Sequence, residues 1–131
     1  MIVLRLHPGG WSSLQYPADG SAPLDIELEV ALGDCERVEF QVAGEALVAD
    51  RSTGRLRIGD IAAPLDLDQD RLALRILVDR GSIEVFAQEG RVAISHGRPI
   101  GRDAVAITAA ATGGQAVLKR AAVHAVDADR E

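Results

Sequence analysis

Residues Leu72 to Ser95 read LALRILVDRGSIEVFAQEGRVAIS. Leu72, Leu74, Ile76 and Val78 alternate with Ala73, Arg75, Leu77 and Asp79. A period of two marks a strand with one buried face. Asp79-Arg80-Gly81-Ser82 breaks the run with turn residues. Alternation resumes over Ile83 to Gln88, Glu89-Gly90 turns the chain again, and Arg91 to Ser95 returns. A two-residue loop ending in Gly suits a tight hairpin. That geometry sets Ala87 opposite Val92 and Val85 opposite Ile94, while the first turn sets Val78 opposite Ile83 and Ile76 opposite Val85. The branched aliphatics Leu74, Ile76, Val78, Ile83, Val85, Val92 and Ile94 then share one face, and a slip of one residue would scatter them. The other face carries Arg75, Leu77, Glu84, Phe86, Gln88, Arg91 and Ser95. The stretch reads as a three-stranded meander with one apolar side.

The rest of the chain has the same grain. Ile26, Leu28, Val30 and Leu32 alternate with Asp25, Glu27, Glu29 and Ala31, and Val38, Phe40 and Val42 repeat the pattern. Glu45–Asp50 and Arg55–Ile58 flank Ser52-Thr53-Gly54 as a hairpin, and Pro64–Leu67 reads as a short edge strand. Ile2–Leu6, Ala104–Ala110 and Ala116–Val126 complete the set, with Trp11–Pro23 irregular and Asp127–Glu131 a charged tail. Helical periodicity is absent. Strands recurring about every ten residues between turn signals point to an all-β fold, a two-sheet antiparallel β-sandwich of jelly-roll or concanavalin-like form. The 131 residues suit a single domain, with residues 1–23 an irregular N-terminal strand and loop, 24–126 the sandwich body and 127–131 the tail.

Composition narrows the function classes. Apolar residues make up 47% of the chain and aromatics only 3%, so Leu, Val, Ile and Ala must build the core. A formal net charge of −6 lacks the basic stripe that nucleic acid requires. No segment approaches the ~20 apolar residues of a membrane span. Met1–Leu6 is too short for a signal peptide and is interrupted by Arg5. Cys35 is the single cysteine, which rules out an intramolecular disulfide and is compatible with either redox compartment.

The meander resembles the signature of the C-terminal β-sandwich module of glycoside hydrolase family 32, the invertases, levanases and inulinases. The likeness lies in the Val78-Asp79 strand end, the basic-and-Ser turn, the Ile83-Glu84-Val85-Phe86 strand, the Gly90 turn and the following strand. Asp50 to Leu56 resembles the family's preceding hairpin. The chain departs at His96-Gly97-Arg98-Pro99-Ile100, where the family usually has an Arg-aromatic-Pro element, and at Gly81, where Ser is common. The resemblance implies an accessory module that packs against a separate catalytic propeller, supports it and in some members mediates dimers. The propeller's Trp-Met-Asn-Asp-Pro-Asn, Arg-Asp-Pro and Glu-Cys motifs do not occur here.

The candidate chemistry agrees. Glycoside hydrolysis uses two positioned carboxylates, and Asp34-Cys35-Glu36 reverses the family's acid motif within a turn. His7, His96 and His124 share no ligand spacing, and Gly9-Gly10 and Gly113-Gly114 read as turns rather than a phosphate loop. We therefore expect no catalytic residues, metal or cofactor. Cys35 reads as a small buried or half-buried residue rather than a nucleophile. Trp11 and Tyr16 are the loop aromatics that could touch a sugar, a fructan or another carbohydrate. Arg75, Leu77, Glu84 and Phe86 form the candidate docking surface, for a propeller or for a second copy of the chain. Within it Arg75 stands opposite Phe86, where it can lie over the ring or pair diagonally with Glu84. Alternatives to the accessory module are a free-standing lectin-like binder and a self-associating structural domain.

Overall fold

The computed structural model describes residues 4–6, 12–15, 24–42, 45–67, 70–79, 82–97 and 106–125. The described residues form twelve strands: β1 (Leu4–Leu6), β2 (Ser12–Gln15), β3 (Leu24–Ala31), β4 (Arg37–Val42), β5 (Glu45–Asp50), β6 (Arg55–Ile58), β7 (Ile61–Pro64), β8 (Arg71–Val78), β9 (Ser82–Ala87), β10 (Val92–Gly97), β11 (Ala106–Thr112) and β12 (Ala116–Ala125). They pair antiparallel in two sheets, in the orders β1-β12-β3-β8-β9-β10 and β2-β11-β4-β5-β6-β7. The chain crosses from the first sheet to the second after β3, returns at β8, and alternates once more through β11 and β12. The architecture is the two-sheet antiparallel sandwich expected from the sequence.

Alternation decides what fills the space between the sheets. Ile26, Val30, Leu72, Ile76, Ile83 and Val85 from the first sheet meet Val38, Phe40, Leu47, Leu56 and Ile58 from the second in one apolar cluster. No polar or charged residue is buried among the described residues. The driving force is therefore apolar area removed from water, about 25 cal/mol per Å².

The meander pairs in the expected register. Val78 faces Ile83, Ile76 faces Val85, Val85 faces Ile94 and Ala87 faces Val92. Six of the seven branched aliphatics are buried, and Val92 packs half-buried against the cluster. The loop residues Glu89 and Gly90 have φ of 60° and 88°, the left-handed pair that a tight two-residue hairpin needs.

Three local expectations are corrected. Ser12–Gln15, inside the stretch read as irregular, forms β2 against β11. Its polar side chains gave no alternation, and its partner lies far along the chain. The edge strand is Ile61–Pro64, not Pro64–Leu67. Ile58 pairs with Ile61 across Gly59-Asp60, so β7 starts directly after that turn, and Leu65 and Leu67 lie buried beyond it. The strand read at Ala104–Ala110 runs on to Thr112, because β4 pairs through to that residue; Ala104 and Val105 lie outside the described residues.

At one end of the sandwich the loops are tied together through Arg51. Its Nη1 donates to the carbonyls of Gly33 and Cys35 at 3.1 and 3.2 Å. Asp70 lies beside it, accepting the Gly33 N–H at 2.6 Å. Asp34 Oδ1 accepts the Gln115 N–H at 2.9 Å, which joins the β3–β4 turn to the β11–β12 turn.

Candidate functional site: a charged groove on the first sheet

The outward face of the first sheet is built by the other half of the same alternation. β3 presents Asp25, Glu27 and Glu29 in a row. β8 sets Leu77, Arg75 and Ala73 opposite them in that order. On the other side β12 sets His124, Ala122 and Arg120 opposite the same three acids. A row of acids thus runs between two strands that carry bases. Arg75 donates from Nε and Nη2 to Asp25 at 3.1 and 2.8 Å. Arg71 Nε donates to Glu29 at 3.0 Å, and its Nη1 lies 3.8 Å from Glu89. Arg120 stands 3.8 Å from Glu27.

The four residues of the expected docking surface lie together on this face. Arg75 pairs in register with Phe86, and Leu77 with Glu84. Arg75, Leu77 and Phe86 line a groove of about 550 Å³, and Glu84 stands just outside it. The Arg75 guanidinium reaches β3 and engages Asp25, a partner not expected from the sequence. Sequence adjacency showed β9 as a neighbour of β8 but hid β3, whose Asp25 lies 50 residues away. Phe86 is half-buried on the groove floor. Trp11 and Tyr16 lie outside the described residues.

Gln88 is the residue that the sequence reading missed. Its φ is 53°, uncommon for a non-glycine residue and outside the two loop positions that require it. Its backbone N–H donates to the Ala73 carbonyl at 2.8 Å. Its side-chain amide accepts from Ala73 N–H at 2.9 Å and donates to the Arg71 carbonyl at 2.9 Å. The side chain thus continues the β8–β9 pairing where the strand ends, and fixes the hairpin tip that carries Glu89. Only the amide at a strand end could have signalled this.

The electrostatics are those of a zipped face. The hydrogen bonds from Arg75 hold the Asp25 carboxyl below its ordinary value of 3.8, against the opposing effect of partial burial. A depressed folded pKa contributes stability above the unfolded value, and that contribution is lost as pH falls through the folded value. Asp50 is held low in the same way, by the Ser52 hydroxyl first. Thermal melts should therefore fall as pH drops below 3.8, and Asp25→Asn should have a shallower acid limb than wild type. Superimposable acid limbs would show that the Arg75 pair is not linked to folding.

Elsewhere the chemistry is quiet. Burial pushes the Cys35 thiol above its ordinary value, the opposite of what a nucleophile needs. His124 is exposed, near Asp25. His7 and the His96 side chain lie outside the described residues. No group of three or more potential metal ligands occurs among the described residues.

The family profile described as "Glycosyl hydrolases family 32 C terminal" matches residues 20–125. The chain belongs to this family. A levanase of Bacillus sp. (strain L7) is 36% identical over 92 residues, which is 64% of this chain and 10% of the levanase. The family 32 sandwich also superposes on solved structures. An exo-inulinase from Aspergillus awamori matches with a TM-score of 0.71 at 18% identity, over 95% of this chain and 28% of that one. A galectin of Caenorhabditis elegans matches with a TM-score of 0.68 at 13% identity, over 95% of this chain and 96% of the galectin. At these identities the structural likeness concerns the fold alone. The chain spans a small part of both hydrolases and nearly the whole galectin.

Proposed function

We propose that this domain is a non-catalytic accessory module that supports a family 32 catalytic propeller. One observation carries the reading: a chain matched to the family's C-terminal part over residues 20–125 occupies only 10% of its levanase relative. The charges agree with it. Glycosidases need a general acid whose pKa is raised, and among the described residues the two carboxyls whose pKa is clearly displaced, Asp25 and Asp50, are both pushed down.

The test has two arms. The clean domain should release no glucose or fructose from sucrose, inulin or levan above a buffer blank. Added in trans to a levanase propeller lacking its own C-terminal module, it should raise that propeller's melting temperature. Sugar release by the domain alone, or an unmoved melting temperature at saturating concentration, would overturn the reading.

A second reading, carbohydrate binding, is favoured by the groove on the first sheet, where the Phe86 ring lies among charged side chains, on a fold shared with a galectin. The two are compatible, since a supporting module can also hold sugar.

A further inference from the structure

We infer that the groove over β3, β8 and β9 binds a neutral oligosaccharide, with Phe86 as its floor and the flanking arginines and glutamates as its hydroxyl-binding rim. The inference rests on the carbohydrate-binding reading above and is independent of the accessory role.

Charge selects the ligand class. Three arginines, Arg71, Arg75 and Arg120, line the groove together with three glutamates, Glu27, Glu29 and Glu89, so the lining is balanced. An anionic ligand would meet three carboxylates, and a cationic one three guanidinium groups. A neutral polyol offers a donor and an acceptor at each hydroxyl and can satisfy both. The ion pairs also hold these groups in place beforehand, which reduces the ordering cost of binding. Arg75 spends Nε and Nη2 on Asp25 and makes no Nη1 hydrogen bond among the described residues.

Shape and floor agree with that class. A volume of about 550 Å³ falls within the range of small-molecule sites, roughly 300–1,000 Å³. Phe86, with Ala73 and Leu77 beside it, supplies an apolar patch for the C–H face of a sugar ring. The hairpin tip closes one end with Glu89, held by the left-handed backbone at Gln88 and the bonds of the Gln88 amide. Residues in such uncommon conformations cluster at binding sites.

A protein partner fits less well. A stable interface buries about 800 Å² per partner around an apolar centre. Among the described residues the exposed large hydrophobic is Ile61, on the edge of the other sheet.

The experiment is a titration of the isotope-labelled domain with levan and inulin oligosaccharides, sucrose and lactose, followed by amide chemical shifts. Wild type should show saturable shifts on β8, β9 and the Glu89 tip. A folded Phe86→Ala should weaken binding by about tenfold, and a folded Arg71→Ala should weaken it as well. Absence of shifts with every sugar at tens of millimolar would overturn both the inference and the binding reading. Binding that survives in Phe86→Ala and Arg71→Ala but is lost in Trp11→Ala or Tyr16→Ala would keep the reading and overturn this site. A wild-type dimer in sedimentation equilibrium that Phe86→Ser returns to monomer would assign the face to a second copy, and overturn the inference too.

Discussion

Val85→Asp should unfold this domain, while Glu84→Ala, one residue away, should leave it nearly unchanged. Val85 is fully buried in the inner strand β9, paired with Ile76 on one side and Ile94 on the other. Its neighbours offer a carboxylate no donor: Ile76, Ile83 and Ile94 are apolar, and the backbone groups of β9 serve its pairing with β8 and β10. A carboxylate stranded there costs several kcal/mol, and the lost valine burial adds about 1.5–3 kcal/mol. A domain of this size has about 5–15 kcal/mol in total. Glu84 points outward, is exposed, and faces Leu77 across the pair. Its removal should fall within about 1 kcal/mol. Far-UV circular dichroism and thermal melts of the two variants decide the matter, and equal melting temperatures would show that β9 does not bury the Val85 face.

Val85 also shows why so much of the fold was legible. A strand with one buried face writes its orientation into a two-residue period, and two tight turns then fix how neighbouring strands align. The β8–β9–β10 register follows from the sequence for that reason. Non-local pairing leaves no such trace. Nothing near Arg75 in sequence indicates that β3 lies beside β8, so its partner Asp25 could not be read. The groove has the same origin. Arg75, Leu77 and Phe86 were placed on one face from β8 and β9 alone, whereas Glu27, Glu29 and Arg120 join them only through the β3–β8 and β12–β3 pairings. β2 was lost for a different reason, since Ser12, Ser13 and Gln15 carry no apolar alternation.

Tight turns also leave little mark on the sequence beyond a glycine, and at Gly33 that glycine bears on a large effect. Gly33→Ala should cost far more than Gly90→Ala, although both residues have a left-handed backbone, with φ of 58° and 88°. The shared conformational cost to an L-residue is about 1–2 kcal/mol. At Gly90 nothing more is added, because a Cβ there meets no atom within 4 Å. At Gly33 a Cβ would stand 2.6 Å from the Gln115 carbonyl oxygen, well inside contact distance. Neither side can yield easily. The Gln115 N–H is bonded to Asp34. The Gly33 N–H is bonded to Asp70 and its carbonyl to Arg51. Relieving the clash means separating the β3–β4 and β11–β12 turns and breaking part of that network, at about 1.5–3 kcal/mol for each hydrogen bond to a charged group. Gly33→Ala should therefore lower the melting temperature by about 10 °C or more, against a few degrees for Gly90→Ala. Equal losses would mean that backbone conformation alone, rather than the approach of the two turns, demands glycine at position 33.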